Sequence, residues 1–217
     1  MELMEPYIAT LERPLTHRVI EPKILYLGTP VVLISTLNED GSSNLAPMSS
    51  AWWLGTSCML GLGTSGKTFE NLARERECVL NIPSADMVDA VDRLALTTGK
   101  TPMPEYKVKM NFAYVSQKFE RAGLNATPSH LVEPPRVMEC PIQLEAKVEN
   151  IYQLGEAQNN LGTVEVSIIR THVREDLLNP EKRHHIDPDK WSPLIMNFLE
   201  FYGLGKQVHP SRLAEVF

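Results

Sequence analysis

From Val31 to Leu37 the chain reads VVLISTL, a run of apolar and β-branched positions that suits a buried strand. Asn38-Glu39-Asp40-Gly41 follows, a turn cluster in which Gly41 can take positive φ. Extended patterns resume over Ser43–Leu54 and Ser57–Gly63. Strands joined by so short a turn pair antiparallel, because a parallel pair needs a long crossover. Beyond Gly66 the period changes, and Thr68–Arg76 sets Phe69, Leu72 and Ala73 on one helical face with charges elsewhere. Cys78–Ile82 returns to strand before Pro83. Ser84 then has the chemistry to cap a helix whose Val88, Val91, Leu94 and Ala95 share a face.

Thr97 to Pro135 carries five prolines and no sustained period, which predicts loops with one or two short helices. The clearest pattern is Cys140 to Glu149. There Cys140, Ile142, Leu144, Ala146 and Val148 alternate with Pro141, Gln143, Glu145, Lys147 and Glu149. Period two predicts a strand with one face buried and one wet. Thr163–Val173 reads as another long strand, with Gly155–Gly162 as a hairpin loop, and Trp191–Gly203 predicts a short helix packed on the rest. No repeat or linker divides the chain. Hairpin-like strand pairs with helices inserted between them predict one mainly β domain over residues 1–217, an antiparallel barrel with a few peripheral helices.

Composition narrows the partners. The 217 residues are 43% hydrophobic and 22% charged, ordinary for a globular protein, with a net charge of −6. Lys and Arg are scattered, which disfavours nucleic acid. No stretch approaches the roughly 20 apolar residues of a membrane span. Met1–Pro14 carries Glu2, Glu5 and Glu12 and no apolar run, so it is not expected to act as a signal peptide. Cys58, Cys78 and Cys140 lie far apart, as expected of buried reduced thiols in a cytoplasmic protein.

Two segments carry chemistry. Gly61-Leu62-Gly63-Thr64-Ser65-Gly66-Lys67-Thr68 spells the GxxxxGK pattern followed by Thr, a loop whose backbone N–H groups and ammonium favour a phosphate at a helix start. A nucleotide triphosphatase would set that loop in a parallel sheet and follow it with a strand ending in Asp; here the next strand ends Asn81-Ile82-Pro83. A glycine turn with a solvated lysine is the plainer alternative. Upstream, Asn44-Leu45-Ala46-Pro47-Met48-Ser49-Ser50-Ala51 is poor in bulky groups, which lets a flat ligand approach the backbone, and Pro47 makes the strand irregular. A bulged strand passing under a helix would read the same way.

Together these segments resemble the flavin reductase-like family, the FMN-binding split barrels. The matching motifs run in order: Asp40-Gly41, Asn44-Leu45-Ala46-Pro47-Met48-Ser49, Lys67-Thr68-Phe69-Glu70-Asn71 and Val79-Leu80-Asn81-Ile82. Phe119–Leu124, Met138-Glu139-Cys140-Pro141, Trp191-Ser192-Pro193-Leu194 and Tyr202-Gly203 continue the likeness, which covers about residues 25–205. The family usually carries a His and a Gly near the start of its last long strand, where this chain reads Asn159-Asn160-Leu161-Gly162.

The resemblance implies an antiparallel Greek-key split barrel, with terminal extensions packing on it or on a dimer partner. It implies FMN as cofactor, with FAD open and NAD(P)H as electron donor. The phosphate would sit at Ser65, Lys67 and Thr68; Asn71 would brace the loop or reach the ribityl chain. Ser49 and Ser50 would meet ribityl hydroxyls or the ring edge, and Asn44, Ala46 and Pro47 would lie along the isoalloxazine. A homodimer is implied, and a monooxygenase or electron-transfer partner is possible within the family. The activity implied is hydride transfer from NAD(P)H to flavin, or electron carriage without turnover. No catalytic side chain and no metal ligand is nominated: His184-His185 with Asp187 and Asp189 lack ligand spacing, and His172 reads as structural. Trp52 or Trp53 could wall the flavin or face the core, and Tyr202 could close over it or pack in the tail.

Overall fold

The computed structural model describes residues 16–156, 159–182 and 184–215. Met1–Pro14 and positions 157 and 158 of the expected hairpin loop lie outside the described residues.

The barrel follows from the strand order. β1 (Leu27–Pro30) leads into β2 (Val32–Leu37), then β3 (Ser43–Met48), β4 (Ala51–Leu54) and β5 (Ser57–Gly63). α1 (Lys67–Glu75) crosses to β6 (Glu77–Ile82). After a one-turn 3-10 helix and α2 (Val88–Asp92) come β7 (Thr97–Thr98), α3 (Glu105–Lys109), β8 (Ala113–Tyr114) and α4 (Lys118–Ala122). The two-residue strands β9 (Ala126–Thr127) and β10 (Arg136–Val137) precede the long hairpin of β11 (Ile142–Leu154) and β12 (Leu161–Val173). Seven strands form one sheet in the order β3-β2-β6-β11-β12-β5-β4, every pair antiparallel.

β3 and β4 are the two edges of that sheet, yet only Ser49 and Ser50 separate them in the chain. That link spans at most about 11 Å between Met48 and Ala51. The edges are therefore held together and the sheet closes, but among the described residues β3 and β4 do not pair. The barrel is split at that seam. Pro47 sits on an edge strand, where its missing N–H costs no interior ladder bond.

β2 is buried on both faces, which explains its unbroken apolar run. Val32 and Ile34 join Leu60, Leu72, Leu80 and Val164 in one core cluster. Val31 and Leu33 join Leu45, Val91, Leu94 and Val137 in the other. All three cysteines are free and buried.

Three expectations are corrected. The side of β11 expected to be wet is covered in its first half, where Gln143 is 7% exposed and Glu145 0%, while Lys147 and Glu149 are exposed as expected. Segment 128–140 lies over it, and the polar groups are satisfied there. Gln143 donates to the carbonyls of Val137 and Cys140. The tail folds as a hairpin rather than a helix, β13 (Ile195–Asn197) with β14 (Glu200–Tyr202), and β13 pairs with β1. Its two-residue turn, Phe198-Leu199, holds φ at 47° and 72°, a turn normally announced by Asn or Gly. Ser84 does not cap the helix; its hydroxyl donates to Asp86 instead. The antiparallel reading of the Gly61–Thr68 loop holds: β5 runs antiparallel to both β12 and β4, so the loop is no nucleotide-triphosphatase crossover.

Candidate functional site

The seam opens into a cavity of about 530 Å³, within the range of ligand sites. Asn44, Ala46, Pro47, Ser49 and Ser50 line one side, all from β3 and the link that leaves it. Gly66, Lys67 and Thr68 line it at the start of α1. Thr97–Gly99, Tyr106, Lys107 and Lys118 line it from segment 97–118. Of the nine residues expected at a cofactor, seven therefore meet at one cavity. Ser65 and Asn71 are not on its wall.

Those two stand behind it. The Ser65 hydroxyl donates to the Tyr106 hydroxyl at 3.3 Å, and Tyr106 is a wall residue. Asn71 is fully buried and donates to Thr36 Oγ1 and to Asn38 Oδ1, each at 3.0 Å. It braces the β2–β3 turn rather than the glycine-rich loop it was expected to brace. Asn44 donates to the same Thr36 hydroxyl at 3.2 Å and to Thr68 Oγ1 at 3.1 Å. The two motifs read separately in the sequence are thus one buried hydrogen-bonded unit.

The backbone at the seam is tight. Gly61 N–H donates to Ser50 O at 2.7 Å, and a Cβ at Gly61 would stand 3.0 Å from Ser50 Cβ. A Cβ at Gly99 would stand 2.9 Å from Asn44 Oδ1. Glycine at both positions keeps the cavity floor open. The Ser50 hydroxyl donates to Tyr26 at 3.4 Å, so it is only loosely held.

Charge in the cavity has two parts. Lys67 Nζ lies 3.2 Å from a Glu39 oxygen and 3.2 Å from Glu70. Burial pulls this ammonium down, but the hydrogen bonds to Glu70 and Glu39 outweigh it and hold Lys67 above its ordinary value. Glu70 also pairs with Lys100 at 2.9 Å, and Glu39 with Arg74 at 2.9 Å. No side chain caps α1, so its first N–H groups are left for another acceptor. Lys107 and Lys118, by contrast, have no carboxylate partner among the described residues and donate to the hydroxyls of Thr98 and Thr97.

The sequence reading missed segment 97–118 as a wall of the site, because a stretch without period gives no face to read. It also missed Tyr26, Met196 and Phe201, which line the cavity from the β1 and tail-hairpin side. Of the two tryptophans, Trp53 packs against the core and Trp52 is 58% exposed; neither lines the cavity. Tyr202 is exposed and does not line it either.

A second polar cluster lies off the cavity. Glu145 accepts the backbone N–H groups of His130 and Leu131 at 3.0 and 2.6 Å, and meets His172 Nε2 at 2.6 Å. His130, Glu145 and His172 offer ligand atoms within 4.8 Å of one another. The carboxylate oxygens are already taken, and Arg170 stands 3.3 Å from His130 Nδ1. The cluster clamps segment 130–131 onto β11. His184 and His185 are both exposed.

Residues 25–198 match the model of the flavin reductase like domain. The chain is 44% identical over 189 residues to the protein YdfE of Bacillus subtilis (strain 168), covering 87% of this chain and 90% of that one. In fold it is similar to the flavoredoxin of Desulfovibrio vulgaris (Miyazaki F), with a TM-score of 0.74 at 20% identity over 93% of this chain and 100% of the other. It is similar also to nitrilotriacetate monooxygenase component B from Bacillus cereus, with a TM-score of 0.69 at 20% identity over 85% and 88%.

Proposed function

The chain belongs to the flavin reductase-like family, and from that premise we propose that the cavity at the barrel seam binds FMN and accepts hydride from NAD(P)H. The observation that carries this reading is the Asn44–Thr68 unit, which sets the small-residue strand and the uncapped helix start on one cavity.

Lys67, Thr68 and the first N–H groups of α1 hold the phosphate, where ammonium, hydroxyl and helix dipole act together. Ser65 acts through Tyr106, and Asn71 through the turn it braces. Ala46 and Pro47 give a flat ring access to the backbone, and Ser49 and Ser50 supply hydroxyls for the ribityl chain or the ring edge. When bound, the flavin supplies the two-electron chemistry, and the protein supplies position, shielding and hydrogen bonds. No side chain of the wall is asked to move a proton.

A homodimer is part of this reading. Trp52, Leu54, Leu154 and Leu161 are exposed on the β4–β5–β12–β11 side of the barrel, an apolar surface suited to a second copy. Three buried free thiols suit a reducing cytoplasm. A monooxygenase or another electron-transfer protein would take the reduced flavin or its electrons.

The test is direct: mix the protein with NADH or NADPH and free FMN and follow nicotinamide absorbance. Turnover with either donor supports the reductase. Tight FMN without reduction by either donor would instead mark an electron carrier, the second reading of the same site.

A further inference from the structure

Among the described residues Lys118 is a buried cation without a counter-ion. Its residue is 2% exposed, its Nζ meets only the Thr97 hydroxyl, and among the described residues no carboxylate lies within ion-pair distance. Burial pushes its pKa down to about 8, and neighbouring Lys107 adds to the fall. Lys107 is itself depressed, by burial and then by Lys100; its ammonium donates to Thr98 Oγ1 at 3.1 Å and lies 5.4 Å from the Phe112 ring centroid. Both lysines line the cavity.

Burying an ammonium is costly unless an anion compensates it. Lys67 has that compensation from Glu39 and Glu70, whereas Lys107 and Lys118 do not. The unmet positive charge of the cavity therefore stands on segment 97–118, which adjoins the helix start through the Ser65–Tyr106 bond and the Lys100–Glu70 pair. The Thr98 hydroxyl beside it, which accepts from Lys107 and the Lys100 N–H, has its own proton to give an oxyanion, whereas Thr97 gives its proton to the Leu94 carbonyl.

We propose that Lys107 and Lys118 form a second phosphate subsite of the cavity, one that takes the phosphate of a nucleotide held beside the flavin. It rests on the reading above, which assigns the flavin's own phosphate to Lys67 and Thr68. The nucleotide phosphate has two sources, the adenylate half of FAD or the reducing dinucleotide, and they share one chemistry. Lys118 is a binding residue here, with no part in electron transfer.

The experiment titrates ADP into FMN-loaded protein by calorimetry, with adenosine as the control, for wild type, Lys118→Met, Lys118→Arg and Lys107→Gln. Wild type is expected to bind ADP and discriminate against adenosine. Lys118→Met and Lys107→Gln should each weaken ADP by about tenfold or more, and FMN by less than about threefold, with Lys118→Arg recovering part of the loss. A preference of the apoprotein for FAD over FMN that disappears in Lys118→Met assigns the source to FAD; an unchanged preference assigns it to the reducing dinucleotide. If wild type fails to bind ADP, the subsite is overturned while the flavin reading stands. If Lys118→Met weakens FMN tenfold and leaves ADP unchanged, the flavin phosphate itself lies there and the second subsite is overturned. Failure of wild type to bind FMN contradicts the flavin reading instead. Met matches the length of the apolar part of Lys and removes the buried charge; should that variant not fold, Lys107→Gln decides alone.

Discussion

Asn44 Nδ2 lies 3.1 Å from Thr68 Oγ1, a buried hydrogen bond between an edge strand of the barrel and the first turn of α1. Asn44→Ala removes this bond and the one to Thr36, and leaves hydroxyls buried without it. We expect a stability loss of about 1–3 kcal/mol in urea unfolding. FMN affinity should fall with it, because the two walls of the cavity lose their register. Unchanged stability and affinity would show that the strand and the helix are positioned independently.

Lys67 is shared between Glu39 and Glu70, so a phosphate must compete with two carboxylates for it. Lys67→Ala should weaken FMN by about 1.5–3 kcal/mol, the scale of a lost charge-assisted hydrogen bond. Riboflavin, which lacks the phosphate, should lose much less. Glu39→Gln should act in the opposite direction and tighten FMN by about threefold, an effect that fades at high salt. Equal changes for FMN and riboflavin would remove Lys67 from the phosphate.

How much of this was legible beforehand depended on the kind of signal. Period-two alternation marked β11, and a turn too short for a crossover marked β2 and β3 as antiparallel. A barrel was read from the hairpin-like pairs, but the place of its seam was not, because that depends on which strands become edges. Gln143 and Glu145 looked wet since their partners, the carbonyls of Val137 and Cys140 and the N–H groups of His130 and Leu131, come from an aperiodic segment. The tail hairpin was hidden by a turn with neither Asn nor Gly. In the site, residues sharing a local motif were readable. Lys107 and Lys118 were not, since the fold alone brings them to the cavity.

The Lys118 amine gives the stability a signature at alkaline pH. Its folded pKa of about 8 lies below the ordinary lysine value of 10.5, so the unfolded chain binds more protons between those values. The cost of burying the charge is full below about pH 8 and is relieved as pH rises towards 10.5. Without ligand, Lys118→Met should be more stable than wild type at pH 7, and the advantage should shrink by pH 10. An advantage that stays constant from pH 7 to pH 10 would show that the amine binds its proton equally in the folded and unfolded chain, so that burial does not lower its pKa.

Glu145 gives a signature in acid. Burial raises its pKa, but hydrogen bonds from His130, His172 and Leu131 outweigh that and hold the carboxyl below its ordinary value. The stability it contributes is present above the usual carboxylate range and is lost as pH falls through the folded value. Glu145→Ala strands two backbone N–H groups and should cost about 3 kcal/mol at pH 7. FMN affinity of the folded variant should be unchanged, because no member of the cluster lines the cavity. A selective loss of FMN binding would tie the clamp to the site.

The seam cavity as a phosphate-anchored flavin site is tested most directly by titrating FMN and riboflavin separately with the protein and following quenching of flavin fluorescence. FMN should saturate at one per chain and bind at least about tenfold tighter than riboflavin, the phosphate alone making the difference. Equal affinities, or no binding of either flavin, would contradict it.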